Sequence, residues 1–104
     1  MVSTDIMKPL TPTQRQFLKS LAHRLQPVVM IGNQGLTAAV LKEIEHSLAA
    51  HELIKIKAAT EEADKRQAWM EEICTSAKAI SVQQIGKVFV IYRPAALPVI
   101  SLPK

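Results

Sequence analysis

The stretch Val28-Val29-Met30-Ile31-Gly32-Asn33-Gln34-Gly35-Leu36-Thr37-Ala38-Ala39-Val40-Leu41 decides how this chain of 104 residues is to be read. Its first four residues are apolar and partly β-branched, which predicts a short strand covered on both sides. Two glycines then bracket Asn33 and Gln34 in a tight turn. Beyond it, Val40, Leu41, Ile44 and Leu48 fall on one side of a helix, with Thr37 placed to cap it or to face a phosphate, two roles that are compatible. Glycine at each end permits positive φ and close approach of another group, and the helix start offers unpaired N–H groups. Such a junction either turns the chain or seats one backbone phosphate, and the spacing alone leaves both open. The third glycine of a dinucleotide fingerprint and the Gly-Lys-Ser/Thr of a P-loop are absent.

Upstream of this junction, residues 1–10 read as a loose lead-in. Thr11-Pro12-Thr13-Gln14 then has the form of a capping box with proline at the first helical position. Phe17, Leu18, Leu21, Ala22 and Leu25 follow at helical spacing as an apolar stripe, with Arg15 and Lys19 one turn apart off it. Pro27 closes that helical region.

Downstream, His51 to Ala58 changes period, with Ile54, Ile56 and Ala58 on one face of a strand and Lys55 and Lys57 on the other. Thr60-Glu61-Glu62 opens a third helix with acids where its dipole favours them. Ala63, Arg66, Met70, Ile73 and Ala77 mark its inner side, adjoined by Trp69 and Cys74. Trp69 is either a packing residue or a stacking platform. Ile80–Ile85, the Gly86-Lys87 turn and Val88–Arg93 predict a hairpin, and Ile100-Ser101-Leu102 a tail across a sheet edge. The order α-β-α-β-α-β-β places the chain in the α/β class, with residues 11–104 as one domain.

Composition narrows the function. With 48% hydrophobic residues the chain can build a core unaided, and its one cysteine, Cys74, excludes an internal disulfide. No apolar run is long enough to span a membrane and the N-terminus lacks a secretion signal, so a soluble cytoplasmic protein is expected. The formal charge of +4 is unevenly spread. Lys8, Arg15, Lys19 and Arg24 lie near the start against Asp5 alone and Lys78, Lys87, Arg93 and Lys104 near the end, while the other acids collect between Glu43 and Glu72. One basic and one acidic face are therefore expected, the basic face holding a polyanion in a salt-dependent way. His23, His46 and His51 form no metal-binding spacing, and no nucleophile or paired acid–base setting is visible, so neither catalysis nor a cofactor is expected.

Taken together, LTPTQRQFLKSLAHRLQPVVMIGNQGLTAAVLKEIEHSLAAHELIKIK, SVQQIGKVFVIYR and the terminal ISLP resemble the bacterial single-domain members of the CRM family, the YhbY-like RNA-binding domains named for chloroplast RNA splicing and ribosome maturation. The resemblance spans Leu10 to Leu102. It implies a compact domain with a four-stranded mixed sheet, similar to the C-terminal domain of translation initiation factor three. It further implies structured RNA as partner: bacterial relatives associate with precursors of the large ribosomal subunit, and plant relatives act in group II intron splicing. The family's loop, comparable to the backbone clamp of KH domains, falls on Gly32, Asn33, Gln34 and Gly35, followed by Thr37. Its basic positions fall on Arg15 and Lys19 in the first helix and on Lys55 and Lys57 in the second strand, which either bind RNA or keep the sheet soluble. Many members carry Lys or Arg inside the loop; Asn33 and Gln34 are neutral, which shifts the clamp towards N–H groups, side-chain amides and neighbouring cations. The alternative is a protein-interaction module whose acidic third helix docks a basic ribosomal or assembly protein.

Overall fold

A computed structural model of the protein describes residues 9–103, so the expected lead-in falls outside it apart from Pro9 and Leu10. The elements follow the expected order: α1 (Pro12–Ala22), β1 (Pro27–Ile31), α2 (Ala38–His51), β2 (Leu53–Ala58), α3 (Ala63–Ala77), β3 (Ile80–Ile85) and β4 (Val88–Tyr92). The strands form one sheet in the order β1-β2-β4-β3. β1 and β2 are parallel, joined by α2 as crossover, and the β2–β4 and β3–β4 pairs are antiparallel, which makes the sheet mixed.

Helices cover both faces. Ile54, Ile56 and Ala58 of β2 point towards α2 and α3, where they meet Val29, Ile31, Ile44, Leu48, Ile73 and Phe89 in the larger core. Leu53, Val90 and Tyr92 point the other way, onto Leu18 and Ala22 of α1, with Ile100 and Leu102 of the tail packed alongside. Burial of each such Leu, Ile or Phe side chain stabilises the fold by about 1.5–3 kcal/mol. The capping box is present as read: the Thr11 side chain accepts from the Gln14 N–H, and the Gln14 side chain accepts from the Thr11 N–H, both at 3.1 Å.

Three expectations are corrected. β1 is an edge strand covered on one face only: Val29 and Ile31 are buried, whereas Val28 and Met30 are 44% and 59% exposed, because α1 packs over β2 and β3 and stops short of β1. α1 ends at Ala22, so Leu25 lies in the following turn and Leu21 and Leu25 are both exposed. α3 starts at Ala63, after a turn in which the Thr60 hydroxyl accepts from the Glu62 N–H; Glu61 lies before the helix and pairs with Lys87.

Glu52 ties the tail to this frame. It follows α2 with φ at +63°, and its carboxylate, buried at 3% exposure, accepts from the N–H groups of Ala95 (2.7 Å), Val99 (3.0 Å) and Ile100 (2.9 Å). Burial alone pushes the carboxyl pKa up, but the three N–H bonds together outweigh it and hold it below the ordinary value of 4.5. A depressed carboxyl pKa contributes stability that is present above the unfolded value and is lost as pH falls through the folded one. Glu52→Gln is therefore expected to lower stability in urea titrations at neutral pH by about 1–3 kcal/mol. The gap to wild type should narrow below pH 4.5; an equal gap at pH 7 and at pH 3 would contradict this account.

Candidate nucleic-acid interface

The turn after β1 is built from backbone. The Gly35 N–H donates to the Gly32 carbonyl and the Thr37 N–H to the Gly35 carbonyl, both at 3.0 Å, which closes the loop and leaves Asn33 and Gln34 exposed at its tip. Thr37 caps α2, its hydroxyl accepting from the Val40 N–H at 3.1 Å and its carbonyl from the Leu41 N–H at 3.0 Å. Of the N–H groups that a helix start leaves without intrahelical partners, those of Ala38 and Ala39 remain, on exposed residues beside the loop.

The two glycines, each read as permitting positive φ and close approach, are not equivalent. Gly35 has φ +72°, and a Cβ there would stand 3.5 Å from the Trp69 ring, so the indole of α3 seats the loop from below. Trp69 is thus a packing residue. Gly32 lies outside the positive-φ region, and a Cβ there would meet nothing within 4 Å.

Among the sequence-predicted cations, Arg15 is drawn into the fold. Its Nη1 donates to the carbonyls of Ser81 (2.7 Å) and Val82 (2.8 Å), where β3 shifts register against β4. Lys19, Lys55 and His23 line one concavity between α1 and the sheet. Lys57 projects from the same face as Lys55, in register with Met30, two residues before Gly32. α1 lies on the opposite face of the sheet from Trp69 and α3, so Lys19 approaches the loop across the sheet and does not pack beside it. Two other cations are neutralised: Arg93 binds Glu45 through both terminal nitrogens at 2.8 Å and also donates to the Ala77 carbonyl, and Lys87 pairs with Glu61. These contacts hold the Glu45 and Glu61 carboxyls below their ordinary pKa. No Asp or Glu occurs in α1 or in any strand, and the Glu52 carboxylate on the α1 side is buried and taken up by the tail, so Lys19, Lys55 and Lys57 have no carboxylate partner among the described residues, while the acids of α2 and α3 lie across the sheet.

The sequence reading passed over Met30, Gln83 and Ile85 on this face. The uniformly apolar run of β1 gave no signal for Met30, and the β3 register shift, which brings Gln83 and Ile85 beside Val90 and Val88, leaves no trace in composition.

The family model of the CRS1/YhbY (CRM) domain matches residues 10–93. The chain belongs to that family. A protein of Haemophilus influenzae named RNA-binding protein is 48% identical over 98 residues, covering 94% of this chain and 99% of its own. A Pseudomonas aeruginosa relative named probable RNA-binding protein is 43% identical over 89 residues, 86% of each chain. The solution structure of a Staphylococcus aureus protein superposes with a TM-score of 0.79 at 33% identity, covering 91% of this CRM-domain chain and all of that one.

Two stability measurements follow from this geometry. In chemical denaturation Gly35→Ala is expected to cost about 1–2 kcal/mol through its left-handed backbone, and Gly32→Ala to stay within about 0.5 kcal/mol of wild type. Arg15→Ala should cost about 1–3 kcal/mol by leaving the β3 carbonyls unpaired; Lys19→Ala, which breaks no recorded ion pair, should be near neutral.

Proposed function

We propose that the protein is a noncatalytic RNA-binding factor that associates with precursors of the large ribosomal subunit in the cytoplasm and assists their assembly. The observation that carries the RNA reading is the separation of charge: Lys19, Lys55 and Lys57 lie on the α1 side of the sheet without an ion-pair partner among the described residues, and Lys57 stands in register with Met30, just before the glycine-bracketed turn. In this reading the turn approaches the sugar–phosphate chain, with Gly32 free of a side chain, Asn33 and Gln34 donating amide hydrogens, and the Ala38 and Ala39 N–H groups meeting a phosphate beside Thr37. The lysines extend the contact along the strand, while Arg15 acts mainly by bracing α1 on β3. The names of the Haemophilus and Pseudomonas relatives support RNA as ligand. Large-subunit ribosomal RNA and its precursor particles as the target rest on the family resemblance.

A second reading is favoured by the exposed acids Asp64, Glu71 and Glu72 of α3, which would suit a basic ribosomal or assembly protein. Pull-down with and without nuclease separates the two, since partners lost on RNA digestion indicate direct RNA binding.

Binding to a large-subunit RNA fragment, titrated between 50 and 200 mM salt, is expected to weaken steeply with salt. Lys55→Gln and Lys57→Gln should each reduce the slope of log K on log salt by about 0.7–0.9. Gly32→Ala, chosen because the fold tolerates it, should lower affinity without changing the slope. Wild-type affinity in all three variants would sink this assignment.

A further inference from the structure

Between the C-terminal half of α1 and the β3–β4 hairpin lies a concavity of about 170 Å³. Its floor is aliphatic, formed by Val88, Val90 and Ile85, and its rim carries Lys19, Lys55, His23 and Gln83. Lys19 and Lys55 form no ion pair among the described residues, and Ile85 is left 59% exposed. A bare phosphate would satisfy the ammonium groups but would desolvate against the valines with no return. An apolar side chain would fill the floor and leave the cations unanswered. A planar group with an apolar face and a polar edge matches both parts.

We infer that this concavity is a nucleobase pocket: one unpaired base of the bound RNA lies over Val88, Val90 and Ile85, its edge met by the Gln83 amide and the ammonium groups of Lys19 and Lys55. The inference rests on the RNA-binding reading and names what that face takes. Lysine ammonium groups only donate, so the rim suits bases whose edges present carbonyl acceptors, which adenine lacks. A base inside a duplex cannot expose its face, so the RNA segment over α1 is bulged, looped or single-stranded. β3 stands three strand spacings from β1, about 14 Å. The base therefore belongs to a different nucleotide from the one whose phosphate the Gly32–Gly35 turn holds, and Lys57 lies on the strand next to β1, along the path between them.

The test compares two RNAs, a hairpin with a single bulged uridine and the same hairpin with the bulge closed, against wild type, Gln83→Leu and Ile85→Gln. Both substitutions conserve charge, so the salt slope should not move. Wild type is expected to prefer the bulged hairpin, and each variant to lose about tenfold in affinity for it while binding the closed one as wild type does. A 4-thiouridine at the bulge should crosslink wild-type protein within residues 80–92, a readout that does not depend on the variants folding. Variants that bind both hairpins as wild type does, or lose affinity for both equally, would overturn the pocket and leave RNA binding standing. Crosslinks confined to residues 32–41 would do the same. Failure of wild type to bind either hairpin would overturn the RNA reading and the pocket with it.

Discussion

Successive side chains of a strand point to opposite faces, and β2 is hydrogen-bonded to β1 on one side and to β4 on the other. Slipping its register by one residue would bury Lys55 and Lys57 under α2 and α3 and expose Ile54, Ile56 and Ala58. Each buried ammonium group would cost several kcal/mol, and each isoleucine brought to solvent about 1.5–3 more. That penalty fixes β2, and β2 fixes its neighbours: Val29 and Ile31 must share the dry face with Ile56 and Ala58, so Met30 must share the open one with Lys57. The surface proposed to meet RNA is thus the reverse side of the larger core, set by the same alternation.

Covering that reverse side is left to α1 and the C-terminal tail. α1 reaches β2 and β3, and Ile100 and Leu102 fill the space beside it. Among the described residues the tail forms no strand, and besides the packing of Ile100 and Leu102 it is held by three N–H bonds to one carboxylate at the α2–β2 junction. Glu52 accepts a positive φ to stand there, a conformation that a side chain tolerates only when surrounding contacts over-determine it. Because α1 and the tail stop short of β1, the sheet keeps an open strip next to the glycine turn.

Much of this was legible in the sequence. The capping box of α1, the face of α2, the alternation of β2 and the β3–β4 hairpin are local signals, and each was read correctly from spacing. What was not legible depends on contacts between distant residues. Four apolar residues in β1 cannot reveal whether one face or both will be covered, since that depends on how far α1 extends. Gly32 and Gly35 look alike in sequence and differ only in φ and in the ring of Trp69 beneath the second. Arg15 and Lys19 sit one turn apart, yet the guanidinium finds two carbonyls at the β3 register shift and the ammonium does not. The polarised charge was visible, but not that Glu45 and Glu61 would neutralise Arg93 and Lys87 while Lys19, Lys55 and Lys57 take no ion-pair partner among the described residues.

A neutral loop and a cationic sheet face divide the work of holding RNA in a way that distance makes necessary. At physiological ionic strength exposed charges are screened over about 8 Å, and the hairpin edge of the sheet lies about 14 Å from β1. The β3 side of the concavity therefore cannot strengthen the grip of the Gly32–Gly35 turn through the solvent. Lys57, one strand from β1, is close enough in register to do so. The turn must depend on groups that act at hydrogen-bond range, the backbone N–H groups and the amides of Asn33 and Gln34, and these are short-ranged and insensitive to salt. Coupling between the two ends of the surface then comes from the covalent continuity of the RNA, which presents the second contact at high local concentration once the first has formed. An RNA of the wrong shape would satisfy one end and miss the other. On this geometry selectivity comes from the spacing of weak contacts, without a tight reading of any one base.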